Sequence, residues 1–120
     1  MHNYNNIQIW QEAMDIVEII YRTTNHFPAE EKYGLCSQMN RAAVSIPSNI
    51  AEGAGRNTDK EFSHFISIAM GSMYELHTQI ILCERVGFID HIASVQIQDK
   101  LDNLQRMAVS FKKKLDSPEI

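Results

Sequence analysis

The chain has 120 residues, 44% hydrophobic and 22% charged, with 11 basic against 15 acidic side chains and a formal net charge of −4. That length suits one domain with its own core rather than two. Three prolines and five glycines are too few for a disordered chain or a β-fold with many tight turns. No run approaches the roughly 18 apolar residues of a membrane span. The opening MHNYNNIQIW lacks the basic start and apolar stretch of a signal peptide, which predicts a cytoplasmic protein with no membrane partner. A protein that grips phosphate backbones usually carries a basic balance. Here the acidic excess is shared evenly between the two halves, so only a local patch would depart from it.

Four stripes of apolar residues, each stepping by three and four, follow one another along the chain. The first is Trp10, Ala13, Val17, Ile20, Thr24 and Phe27. The second is Leu35, Met39, Ala42, Ile46 and Ile50. The third, the most regular, is Phe62, Ile66, Ala69, Met73, Leu76, Ile80 and Cys83. The fourth is Ile97, Leu101, Leu104, Ala108, Phe111 and Leu115. Such spacing keeps one face of a helix apolar, and its mean of about 3.5 residues is that of a bundle seam. The spacing predicts helices over about 6–26, 30–54, 58–86 and 90–115.

The punctuation agrees. Phe27-Pro28 followed by Glu30 and Glu31 reads as a loop and an acidic first turn, which suits the helix dipole. Gly55, Arg56 and Asn57 end the second helix, and Thr58 with Glu61 forms a capping-box pattern at the start of the third. Gly87 stops the third helix and Asp90 caps the fourth. Connections this short make neighbours antiparallel, so the fold class is all-α: an up-down-up-down four-helix bundle. Pro47 falls inside the second helix, where it removes a backbone bond and crowds the preceding turn at about 3 kcal/mol. A bend between Ala43 and Pro47 is expected, serving either to wrap the helix around the core or to shape a surface. The residues after Leu115 read as a frayed end.

No catalytic, cofactor-binding or metal site is expected. Glu61 and His64 have the E-x-x-H spacing of bundle di-iron sites. Such a site needs a second E-x-x-H and two more carboxylates facing inward, whereas Phe62 and Ile66 turn this pair outward. His2, His26, His77 and His91 show no metal-ligand spacing. There is no phosphate-binding glycine loop and no G-x-S-x-G. Cys36 and Cys83 form no C-x-x-C pair and fall inside helical patterns, where cysteine acts as a small hydrophobe.

Residues 34–57 read GLCSQMNRAAVSIPSNIAEGAGRN. The run SQ-x-x-RAA-x-SIPSNIAEG-x-GR, the following E-F-x-x-F and then A-x-GS-x-x-E-L resemble the bacterial four-helix-bundle proteins encoded within intervening sequences of 23S ribosomal RNA genes. The resemblance is strong from Gly34 to Ile89, with a weaker echo at Trp10, Gln11, Ala13, Ile20 and Tyr21. It implies a cytoplasmic four-helix bundle assembled with itself into a ring-like homo-oligomer, pentamers occurring among relatives, with no established activity. A relative in fold, the accessory variability protein of diversity-generating retroelements, is a basic partner of a reverse transcriptase and nucleic acid. The present chain departs from that pattern in its acidic charge. It also carries Asn40 where many family members have a second arginine before Arg41.

Beside the apolar seam runs a second stripe. Gln38, Arg41, Ser45, Ser48 and Glu52 step by 3, 4, 3 and 4, and Phe65, Ile68, Ser72, Glu75 and Gln79 form its counterpart on the third helix. Counting back and forward from a turn near Asn57 places Arg41 level with Glu75, and Ser45 near Ala69 to Ser72. The expectation is an Arg41–Glu75 ion pair within a polar ribbon. Two uses are open: a surface that sets helix register and joins subunits, or a recognition groove with Asn49, Glu52 and Arg56 as exposed contacts. Glu52 and Arg56 also suit a plain i,i+4 pair. Lys112, Lys113 and Lys114 either complement the fourth helix's dipole or form a phosphate-binding tip multiplied in an oligomer. The leading reading is a non-enzymatic homo-oligomeric scaffold. The alternative is an RNA- or DNA-binding accessory factor working with intervening RNA or a nucleic-acid-processing protein, contacting nucleic acid through Arg41, Arg56 and Lys112 to Lys114.

Overall fold

The longest helix, α3 (Asp59–Arg85), carries the third stripe without a break: Phe62, Ile66, Ala69, Met73, Leu76, Ile80 and Cys83 are all buried. Around it the computed structural model, which describes residues 2–118, places α1 (Gln8–Thr24), α2 (Leu35–Ala54) and α4 (His91–Asp116). Each helix packs on its neighbours in sequence, and α1 closes the ring against α4. The α2–α3 contact is the most extensive and α1–α4 the least. The result is an antiparallel four-helix bundle drawn out to 53 × 23 × 20 Å.

The helix ends fall within two residues of expectation except at the start of the second helix, which differs for a local reason. The second helix begins at Leu35 rather than near residue 30: Ala29–Glu31 forms a single 3-10 turn, and Gly34 (φ −106°, ψ −109°) separates it from α2. The acidic pair therefore sits in a connection, not in a first α-turn. In α1 the buried face is Ile9, Ala13, Ile16, Ile20 and Thr24, while Trp10 and Val17 are half-buried beside it. The stripe is thus rotated by about one residue, both candidate faces being apolar. In α4, Ile97, Leu101, Leu104 and Ala108 are buried and Phe111 and Leu115 half-buried. This helix runs to Asp116, one residue beyond the expected end. Of the tail, Glu119 and Ile120 lie outside the described residues.

The caps follow the sequence closely. Thr58 Oγ1 accepts from the Glu61 N–H at 3.1 Å, but the Glu61 carboxylate takes the Thr58 hydroxyl (3.2 Å) instead of returning to the backbone. Asp90 accepts from the Ala93 N–H at 2.7 Å. Gly87 adopts φ +85°, so the Phe88 N–H reaches the Cys83 carbonyl and the Gly87 N–H reaches Glu84, closing α3 in a left-handed turn. Two His–carboxylate contacts then tie α3 to α4: His91 to Glu84 at 2.8 Å and His77 to Asp102 at 3.3 Å.

Pro47 is buried within an unbroken α2. A close approach of α2 to α3 comes six residues later, at Gly53. A Cβ there would stand 2.7 Å from Phe65 Cβ and 2.8 Å from Phe62 Cδ1, so only glycine admits the α3 backbone at this distance. Among the described residues no helix is long and apolar enough to cross a membrane.

Candidate interaction surface

The polar ribbon forms where α2 and α3 run side by side. Ser45 Oγ lies 2.8 Å from Ser72 Oγ, as the count from the turn requires. Asn49, one turn on, donates to both the Ser45 carbonyl (2.8 Å) and its hydroxyl (2.9 Å). The two small serines leave a groove of about 310 Å³ lined by Gln38, Arg41, Ala42, Ser45, Ser72 and Glu75. Ile68 (40% exposed) lies one turn before Ser72 on α3, whereas Val44 (39% exposed) lines the groove on the α1 side of α2. Ser48 is exposed and makes no side-chain hydrogen bond among the described residues.

The expected Arg41–Glu75 ion pair is absent. Both residues line the groove, yet no ion pair joins them among the described residues, and Glu75 Oε2 instead takes a long hydrogen bond from Gln79 Nε2 (3.5 Å). Both side chains are exposed, where water screens their attraction and holding two long side chains together costs entropy. Further along, Gln79 Oε1 is buried without a hydrogen-bond partner.

The other basic candidates are arranged differently. Arg56 pairs with Glu52 at 2.9 Å and lies over the Phe65 ring, 4.7 Å from its centroid. Lys112 pairs with Asp116 at 2.9 Å. Asp116 is held below the usual carboxylate range, first by the Ser63 hydroxyl and then by Lys112. Arg56 and Lys112 come together with Lys60, His64 and Phe65 around a cavity of about 640 Å³, but Glu61 and Asp116 line it too. The three lysines do not line one cavity: Lys112 borders this one, and Lys114 borders another groove beside Gln8 and Arg106.

Glu61 and His64 are both exposed, and His64 stands edge-on to Phe65 at 5.9 Å. Among the described residues no group of three His, Cys, Asp or Glu side chains could hold a metal ion. Cys36 and Cys83 are buried free thiols. Cys83 contacts Met39 Sδ at 3.4 Å, and burial pushes its thiol up to about 11. Burial also raises Cys36, whose Sγ meets the Thr24 carbonyl at 3.6 Å. Both are neutral packing groups at ordinary pH.

One feature was not anticipated from sequence. A groove of about 650 Å³ runs between α1 and α2, lined by Tyr21, Lys32, Tyr33, Asn40 and Arg41. Lys32 and Tyr33 lie in the connection before α2, outside any periodic pattern, so helical spacing could not flag them. The spacing puts both inside the second helix, and the only sequence signal is an aromatic residue beside a cation.

Fold and surface together define an antiparallel four-helix bundle that presents a small-residue groove on its α2–α3 face. The chain belongs to the 23S rRNA-intervening sequence protein family, whose model matches residues 5–110. Its structure is similar to the crystal structure of a protein of unknown function from the S23 ribosomal protein family of Bacteroides thetaiotaomicron. The likeness covers 88% of this chain and 98% of that one, with a TM-score of 0.78 and 18% identity, and it shows the shared fold. No curated protein matches the chain.

Proposed function

We propose that this protein catalyses no reaction and works as a homo-oligomeric interaction protein whose copies meet through the α2–α3 face. One observation carries the reading. An arginine and a glutamate, Arg41 and Glu75, share an exposed groove without pairing to each other, with exposed Ile68 one turn before Ser72 on α3. Unpaired opposite charges on one face find partners when a second copy supplies the complement. Ser45 and Ser72, already bonded to each other, leave room for an incoming helix ridge. Exposed Ile68 adds apolar burial of the kind an interface needs at its centre.

Size-exclusion chromatography with light scattering at micromolar concentration tests it. The wild type elutes as a closed oligomer, Arg41→Glu shifts it toward monomer, and adding Glu75→Arg restores assembly. A wild type that is monomeric throughout that range overturns the reading. The alternative, a nucleic-acid accessory factor, draws no support from Arg56 and Lys112, whose charges already have carboxylate partners.

A further inference from the structure

The chain is acidic overall, but its surface charge is not uniform. In the α1–α2 groove the charged lining residues are Lys32 and Arg41, with no carboxylate among the side chains that form it. Among the described residues neither cation has an ion-pair partner within 4 Å. The nearest acid in sequence, Glu31, is half-buried with its carboxylate toward Gly34. Two aromatic faces share the groove: Tyr21, 45% exposed, and Tyr33, 88% exposed with Lys32 Nζ over its ring at 5.4 Å. A tyrosine that open to water stabilises no core, and its amphipathic ring is available to a ligand in the groove. Asn40 lies on the groove wall and accepts a hydrogen bond from Thr24 through Oδ1 (3.1 Å), which leaves its amide N–H groups for a ligand.

We infer that this groove binds a nucleoside phosphate, either free or as a link in a single-stranded nucleic acid. Lys32 has no carboxylate in its groove to offset it and meets phosphate directly, and Arg41, whose other groove holds Glu75, adds a second positive charge from the shared wall. The tyrosine faces receive unstacked bases, a sequence-tolerant contact that a duplex cannot make. Asn40 and the Ser37 hydroxyl can meet base edges or sugar. An acidic peptide would use the cations but leave both aromatic faces idle. The inference does not rest on the oligomer reading: Lys32, Tyr33 and Tyr21 lie outside the α2–α3 groove, which shares with this one only Arg41 and Ser45.

Fluorescence anisotropy with labelled ten-nucleotide oligo-U and oligo-A RNA and the DNA equivalents tests it on the full chain. Binding is expected with a Kd on the order of 10–100 µM at low salt, with log affinity falling at a slope of about −1.4 against log salt for two phosphates. Tyr33→Ala weakens it by about fivefold or more, Tyr33→Trp restores it, and Lys32→Glu abolishes it. None of these three changes the oligomeric state seen by light scattering. Arg56→Ala and Lys112→Ala leave binding within twofold of wild type. Displacement by AMP assigns the site to a single nucleoside phosphate, and binding of the strand without displacement by AMP assigns it to a chain. Four results would each overturn the inference: no binding up to roughly millimolar strand, equal affinity for duplex, equal affinity for a poly-glutamate peptide, or a Tyr33→Ala protein that binds as the wild type does.

Discussion

The two ends of α2 handle charge in opposite ways. At its C-terminal end, Gly53 lets α3 come within contact of the backbone, and Arg56 is held between Glu52 and the Phe65 ring. Lys112 arrives from α4 already bonded to Asp116. Three cations line the cavity there, and two of them, Arg56 and Lys112, are paired with their own neighbours, with Glu61 and Asp116 in the same lining. Near the N-terminal end, Lys32 and Arg41 stand over a groove with no carboxylate in its lining and aromatic faces beside them. The closed end therefore has the larger number of basic residues and the open end has the available charge. Counting lysines and arginines along a sequence would rank the two ends the wrong way round.

The comparison breaks most visibly through Phe62. It is 1% exposed and packs edge-on to Phe111 (5.2 Å) and against the His2 ring (5.0 Å), whose Nε2 also reaches Asp59 at 3.1 Å. Phe62→Ala is expected to cost about 3–5 kcal/mol in urea unfolding. Tyr33→Ala at the open end should stay within about 0.5 kcal/mol of wild type. Similar losses for both would mean that the two ends are not distinguished by packing. A subtler probe is Gly53→Ala. In an exposed helix the added methyl would help by about 1 kcal/mol. Here it must displace Phe65 or Phe62, so the net effect should be a loss of about 1–3 kcal/mol. A stabilised Gly53→Ala variant would show that the helices separate there without cost.

These sites differed in how plainly the sequence announced them. The seven-residue stripe of α3 was legible throughout because α3 has a neighbour on each side and a single apolar face. α1 offered two adjacent apolar faces, and periodicity alone could not choose Ile9 and Ile16 over Trp10 and Val17. Counting from the Asn57 turn brought Ser45 to Ser72, since register in an antiparallel pair depends only on backbone rise. The same count put Arg41 and Glu75 in one groove but could not supply the rotamers that decide whether they pair. Gly53 falls inside the expected second helix with nothing to mark it; its role lies in two phenylalanines of the next helix, which no local pattern reveals. Lys32 and Tyr33 stayed invisible because Gly34 delays the helix start and leaves them in a connection.

The smallest effect concerns pH. Asp116 at the closed end has its pKa lowered by the Ser63 hydroxyl and by Lys112. A carboxylate depressed in the folded state binds its proton less readily there than in the unfolded chain. Its stabilising contribution is therefore fully present above the unfolded value near 3.9 and is lost as pH falls through the lower folded value. Because Asp116 is exposed, the effect should be slight and sensitive to salt. Asp116→Asn should flatten the acid limb of a stability–pH profile below about pH 4 and leave the neutral region almost unchanged. Tyr33→Ala should leave the whole profile as it is, since the open groove contains no carboxylate to titrate. An acid limb identical in wild type and Asp116→Asn would show that the closed end gains nothing from this carboxylate. The partnering of Lys112 would then be a matter of proximity, and its charge would be as free as that of Lys32.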